Sequence, residues 1–159
     1  MAIIKPNNNT LSAVTALPAA IPTGKVLQVS SIVSGAVNQN ISSSSPNYID
    51  LTNMTLNITP ATSSSKIVVL VNIGALFQDG RGFGIRIIRG STTVFERPTY
   101  TVLSAADGSQ YSGTHFSYID SPNTASQVTY KVACATHDGN QITFNASYLS
   151  NMYLMEIGA

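Results

Sequence analysis

Residues 66–77, KIVVLVNIGALF, are the longest apolar run in the chain, and their alternation constrains the fold more than any other feature. The odd positions Ile67, Val69, Val71, Ile73, Ala75 and Phe77 form one unbroken apolar face. The even positions begin apolar, with Val68 and Leu70, and then turn polar or small, with Asn72 and Gly74. A strand sends successive side chains to opposite faces. The run therefore predicts a central strand whose first half is buried on both faces and whose second half is buried on one. Its β-branched density and Gly74 weigh against a helix. The second face of Val68 and Leu70 then meets either another layer of the same chain or another copy of the protein.

The remaining sequence reads as strand after strand. Residues 25–33 alternate loosely, and 48–51 and 54–59 read as two short strands, the second with Met54, Leu56 and Ile58 inward. An Asp-Gly turn over 78–82 leads to 83–89, where Phe83, Ile85 and Ile87 share a face opposite Arg86 and Ile88. Residues 92–96 follow, and Arg97-Pro98 is expected to break that strand before 100–103, because proline cannot donate to a ladder. Residues 111–119, 127–136 (Val128, Tyr130, Val132 and Cys134 inward), 142–146 and 152–157 complete the series. No segment holds helical periodicity over three turns. About ten short strands with turn signals at near-regular spacing predict an all-β antiparallel sandwich or barrel.

Residues 1–24 read differently. Pro6, Pro18 and Pro22 hold their neighbours extended, and the aliphatic Ile3, Ile4, Leu11, Val14, Leu17 and Ile21 follow no period. The segment is too apolar for a solvated tail. It reads as an extended N-terminal arm that orders on a partner, followed by a β-sandwich domain over 25–159. At 159 residues, one domain burying about 70% of its unfolded surface is the expectation.

Charge is scarce: 8 basic and 7 acidic residues against 49 Ser, Thr and Asn. Lys and Glu are depleted from interface cores, so a low-charge surface fits a chain that faces other protein. A net charge of +1 gives no reason to expect a nucleic-acid partner, and no run approaches the ~18 apolar residues of a membrane helix. The N-terminus lacks a basic n-region and a compact apolar stretch, so no signal peptide is expected.

Catalysis is not expected. His137 sits in a turn beside Asp138, His115 lies on a strand, and no nucleophile, base and orienter are brought together by spacing. No His/Cys pair has ligand spacing for a metal, and no cofactor motif is present. Residues 80–84, GRGFG, lack the strand–loop–helix context of a phosphate loop. The lone Cys134 excludes an internal disulfide and reads as core. Arg81, Arg86, Arg89 and Arg97 concentrate half the basic residues. Three readings apply to them: contact with a neighbouring subunit, pairing with Asp79 and Glu96, or an anion site. Val68, Leu70, Arg86 and Ile88 are the candidate subunit interface.

Several segments together resemble a module of tailed bacteriophages, found in virion structural and tail-fibre-like proteins of aquatic and cyanobacterial phages. They are residues 24–29 (GKVLQV), 58–60 (ITP), 63–71 (SSSKIVVLV), 88–92 (IRGST), 120–124 (DSPNT), 129–132 (TYKV) and 154–157 (LMEI). The resemblance covers residues 24–157 and implies a jelly-roll-like β-sandwich that assembles as a homotrimer in the particle, without catalytic residues. Fibre members sit at the end of long shafts, whereas this chain starts at Met1 with a 24-residue arm. The expectation is thus a capsid decoration (cement) protein on the capsid exterior, made in the host cytoplasm. Its partners would be itself and the major capsid protein, which the arm contacts. The alternative is a tail-fibre or tail-tip module that binds a host receptor or surface glycan.

Overall fold

The computed structural model describes residues 24–35, 38–78, 82–103, 109–145 and 148–158. Ten strands run through them: β1 (Val26–Val33), β2 (Gln39–Ile41), β3 (Ile49–Ile58), β4 (Lys66–Gln78), β5 (Gly82–Arg89), β6 (Thr92–Leu103), β7 (Ser109–Asp120), β8 (Val128–Thr136), β9 (Ile142–Phe144) and β10 (Asn151–Ile157). One sheet has the order β1-β10-β4-β9-β2, with β7 on the other edge of β4. The second has the order β3-β8-β5-β6.

The pairs nest in sequence. β5 pairs with β6, β4 with β7, β3 with β8 and β1 with β10, all antiparallel. A long hairpin centred on the β5–β6 turn has thus been rolled up, and the β10–β4 and β8–β5 ladders close the roll into two sheets. This strand order is that of a jelly roll, so the chain is an antiparallel all-β sandwich of that type.

The core lies between the sheets. From the first come Ile67, Val69, Val71 and Ile73 of β4 with Met152 and Leu154 of β10. From the second come Phe83, Ile85 and Ile87 of β5 with Tyr130, Val132 and Cys134 of β8. Burying each large side chain contributes about 1.5–3 kcal/mol before ordering costs. Phe83 meets Phe144 edge-on at 5.1 Å between ring centroids. Phe95 lies against Phe116 and Tyr118 between β6 and β7. Burial pushes the Cys134 thiol pKa up, so it stays a neutral core residue.

Two expectations about strands are corrected. Residues 48–51 and 54–59 are one strand, β3, whose register shifts between Asp50 and Thr55. Asn53 has φ +59° there, and its amide donates to the Ser34 carbonyl at 3.1 Å. Arg97-Pro98 does not end a strand: β6 runs from Thr92 to Leu103. Pro98 falls on the edge strand of its sheet, where the ladder skips from Arg97 to Val102, a position that needs no donor.

Buried carboxylates hold one end of the roll. Asp120 at the end of β7 accepts Arg89 Nη1 at 2.7 Å and the Tyr130 hydroxyl at 2.6 Å, which ties the two sheets together. Burial, and then Asp120 itself, drives the Tyr130 pKa upward. Glu156 of β10 has no exposed surface and accepts hydrogen bonds from Gln28 Nε2 at 2.6 Å and the Ala61 amide at 2.7 Å. Burial acts to raise its pKa, but hydrogen bonds from Ser65, Gln28 and Ala61 outweigh it and hold the carboxyl below its ordinary value.

Candidate functional site: an uncharged sheet face and the cleft at its end

On the outer face of the first sheet, β-ladder register aligns the side chains in rows. Val29, Met155, Val68 and Ile119 form one row across β1, β10, β4 and β7. Ser31, Tyr153, Leu70 and Ser117 form the next, and Val33, Asn151, Asn72 and His115 the one above. Val29 is 56% exposed, Val33 51% and Ile119 61%, while Val68, Leu70 and Met155 are half-buried. These three rows contain no Asp, Glu, Lys or Arg. Scattered surface apolar residues are ordinary, but a contiguous apolar patch marks a contact surface.

The half-burial of Val68 and Leu70 corrects the reading of the central strand. Two-sided burial falls on its second half instead, at Gly74. β10 pairs with β4 from Lys66 to Asn72, and β9 pairs along the same edge at Ala75 and Leu76. Between them the chain leaves the ladder, with Asn145 and residues 148–150 on this detour. Asn145, at φ +60°, donates its amide to the Gly74 carbonyl at 2.8 Å, and the Gly74 amide donates to Ser150 Oγ at 3.1 Å. The Ser150 amide in turn donates to Asn145 Oδ1 at 3.1 Å and Ser34 Oγ at 3.2 Å. The detour passes so close that a Cβ on Gly74 would lie 1.8 Å from the Tyr148 carbonyl oxygen.

Tyr148 and Leu149 wall a cleft of about 330 Å³, lined also by Asn72, Ile73, Gly74, Gly113, Thr114 and His115. Gly74 and Gly113 are register partners. Asn72 is fixed by donating from Nδ2 to Asn151 Oδ1 at 2.6 Å. Sequence reasoning extended a strand to residue 146 and missed the cleft. The signal available was a glycine in each of two neighbouring strands.

Of the four residues expected at a subunit interface, only Val68 and Leu70 share this face. Arg86 and Ile88 lie on the outer face of the opposite sheet. There Arg86 Nε pairs with Glu96 at 2.8 Å, Nη1 donates to the Pro46 carbonyl at 3.3 Å, and the guanidinium lies 3.9 Å from the Tyr48 ring centroid. Burial, followed by Glu96, pushes the Tyr48 pKa up to about 12. Arg89 is committed to Asp120, and Arg97 lies 5.8 Å from the Phe95 ring centroid. The three arginines that can be placed thus go to separate partners, which favours local pairing over one patch. Arg81 lies outside the described residues, as do the arm residues Ile3, Ile4, Leu11, Val14, Leu17 and Ile21.

Among the described residues, no group of His, Cys, Asp and Glu is placed to hold a metal ion, and no helix is long and apolar enough to cross a membrane.

No family model matches the sequence, and no curated protein matches it. Among solved structures, the chain is similar to the infectious bursal disease virus VP2 subviral particle, with 12% identity and a TM-score of 0.49 over 82% of this chain and 39% of that one. It is also similar to the structure of the Gt strain of that virus, with 16% identity and a TM-score of 0.46 over 86% of this chain and 39% of the other. An insecticidal delta-endotoxin of Bacillus thuringiensis is similar with 14% identity and a TM-score of 0.41, over 76% of this chain and 20% of the toxin. The chain thus spans about two-fifths or less of the length of these structures, and the jelly-roll assignment rests on the strand order above.

Proposed function

We propose that the protein is a structural component of a virus particle, a capsid decoration protein that assembles as a homotrimer and acts by burying surface, without turnover. The observation that carries this reading is the three adjoining uncharged rows on the outer face of the first sheet, which Lys66 bounds at one end. A neighbouring copy can cover it without desolvating an unpaired charge on this face. The phage-module resemblance over residues 24–157 supports the same reading, as does the low charge of the whole chain.

Area decides what else assembly needs. Four strands about 4.8 Å apart, and the five residues of about 3.3 Å each that three rows span, give the face roughly 19 by 17 Å in plan. That is about 320 Å², about two-fifths of the ~800 Å² per partner in a standard stable interface. The face is thus a contact at the small end of specific interfaces, and attachment to the shell needs a second surface. In this reading residues 1–24 supply that attachment, their aliphatic side chains reaching the major capsid protein.

Localising the chain in a density map of intact particles tests the reading. A copy at each symmetry-equivalent position of the shell exterior is expected. A few copies at the tail would replace decoration by a fibre role, and absence from the particle would overturn the virion assignment.

A further inference from the structure

We propose that the free edge of β7 pairs with the β7 edge of a second copy, antiparallel and about a twofold axis. A sheet edge presents a row of backbone N–H and C=O groups that templates another strand. Proteins blunt such edges with brevity, charge, proline, bulges or cover. Among the described residues, four of the five edge strands are treated in this way. β2 is three residues long. β6 carries Glu96, Arg97 and Pro98. β3 shifts register between Asp50 and Thr55, and the Gln39 side chain occupies the Asp50 carbonyl at 2.9 Å and the Thr52 amide at 2.7 Å. β1 is tied across to the β3 side near both ends. Gln28 Nε2 donates to the Thr59 carbonyl at 2.6 Å, and Asn53 Nδ2 to the Ser34 carbonyl at 3.1 Å.

β7 has none of these devices. It pairs with β4 without a register shift from Ile67↔Asp120 to Gln78↔Ser109. Residues 109–119 contain no proline, aspartate, glutamate, lysine or arginine. Phe95 of β6 packs against Phe116 and Tyr118, but β6 forms no ladder with β7. Among the described residues, no strand pairs with the other edge of β7, and His115, Ser117 and Ile119 are exposed along it.

A second copy is the occupant that this edge fits. A twofold sets the strand against itself antiparallel, the stronger ladder, and an uncharged strand meets no like charge there. Opposed residues must share a face, and the uncharged stretch 109–119 is centred on Thr114. Thr114 therefore meets its own counterpart, a favourable cross-strand pair, and Gly113 of each copy lies opposite His115 of the other. For eleven residues the paired strip is about 36 Å long and about 4.8 Å wide, far below a standard interface, so the contact is weak in dilute solution. It is populated where copies are held side by side at high local concentration, as on a shell. The pairing uses the edge and leaves the uncharged face free, so it joins assemblies made through that face without depending on them.

The test uses Leu70→Lys, which removes assembly through the face. Sedimentation velocity and amide-shift NMR of that chain would run from about 10 μM to about 1 mM. Dimers are expected toward the upper end, with shifts confined to the 109–119 amides and absent from those of β1. Adding His115→Lys places two ammonium groups on diagonal neighbours across the twofold and should weaken dimerisation by about tenfold or more. Cysteine variants of the same chain fix the register, since Cys134 is buried and does not compete. Thr114→Cys at the twofold should oxidise to a covalent dimer, whereas the more exposed Ser117→Cys should not. Monomers throughout, shifts lying outside 109–119, or faster cross-linking of Ser117→Cys than of Thr114→Cys overturns the proposal. A Leu70→Lys chain that stays trimeric contradicts the face reading alone, because concentration-dependent shifts along 109–119 still report the edge.

Discussion

The two outer faces of the sandwich come from the same alternating pattern but are finished in opposite ways. On the β3-β8-β5-β6 side the chain completes its own surface. Lys131 pairs with Asp50 at 2.6 Å, Arg86 pairs with Glu96, and Thr129 donates to Asn57 at 2.7 Å. Tyr48, from the connection before β3, lies under the Arg86 guanidinium. On the β1-β10-β4-β7 side, no described residue covers Val29, Val68, Leu70, Tyr153, Met155 and Ile119 below residues 148–150. A face that saturates its own polar groups needs no partner, whereas one that leaves aliphatic rows in water gains from acquiring one. The difference is the ground for proposing the first sheet as the contact side, although both sheets contribute equally to the core.

The comparison breaks most severely where the first face is covered by its own chain. Gly74→Val should destabilise the fold by ~3 kcal/mol or more, because the detour must move and release its hydrogen bonds. Denaturant unfolding measures this, and a near-neutral effect would remove the detour from the account.

Next in size is Glu156→Gln. It leaves the Ser65, Gln28 and Ala61 donors facing an amide, for an expected loss of about 2 kcal/mol at neutral pH. The sign with pH follows from its lowered pKa. The folded form binds the proton more weakly than the unfolded chain, so the carboxylate stabilises above the unfolded value near 4.5 and that stabilisation is lost as pH falls through the lower folded pKa. The difference between wild type and Glu156→Gln should shrink on acidification below about pH 4.5 in thermal melts.

The smallest effects belong to the self-completed face. Arg86→Met or Lys131→Met should each change stability by less than about 1 kcal/mol, since both pairs lie at the surface and are partly exposed. Neither should alter assembly. A change in oligomeric state from Arg86→Met would return that residue to the interface.

How much of this could be read from sequence depends on whether a feature lives in one strand or across several. The odd face of 66–77 and the inward set of 83–87 were legible, because period-two alternation is local. Val68 and Leu70 stood out for the same reason. Their neighbours Val29, Ile119, Tyr153 and Met155 did not, because only the ladder register places residues so far apart in sequence on one row. Arg86 and Ile88 carried the same outward parity as Val68 and Leu70, but alternation says nothing of which sheet a strand joins. Arg97-Pro98 misled because proline excludes a central strand but not an edge. The cleft was illegible for a different reason: it forms where one strand is interrupted opposite a glycine, a three-dimensional coincidence without a motif.

The account rests on the uncharged face being an interface between copies, and the mass of the purified chain in solution tests that most directly. Sedimentation at micromolar concentration should give three chains for the wild type and for Thr93→Lys, an exposed position on β6 in the opposite sheet. It should give a folded single chain for Leu70→Lys, which puts a charge in the middle of the apolar rows. A wild-type monomer, or a Leu70→Lys trimer, would contradict the account.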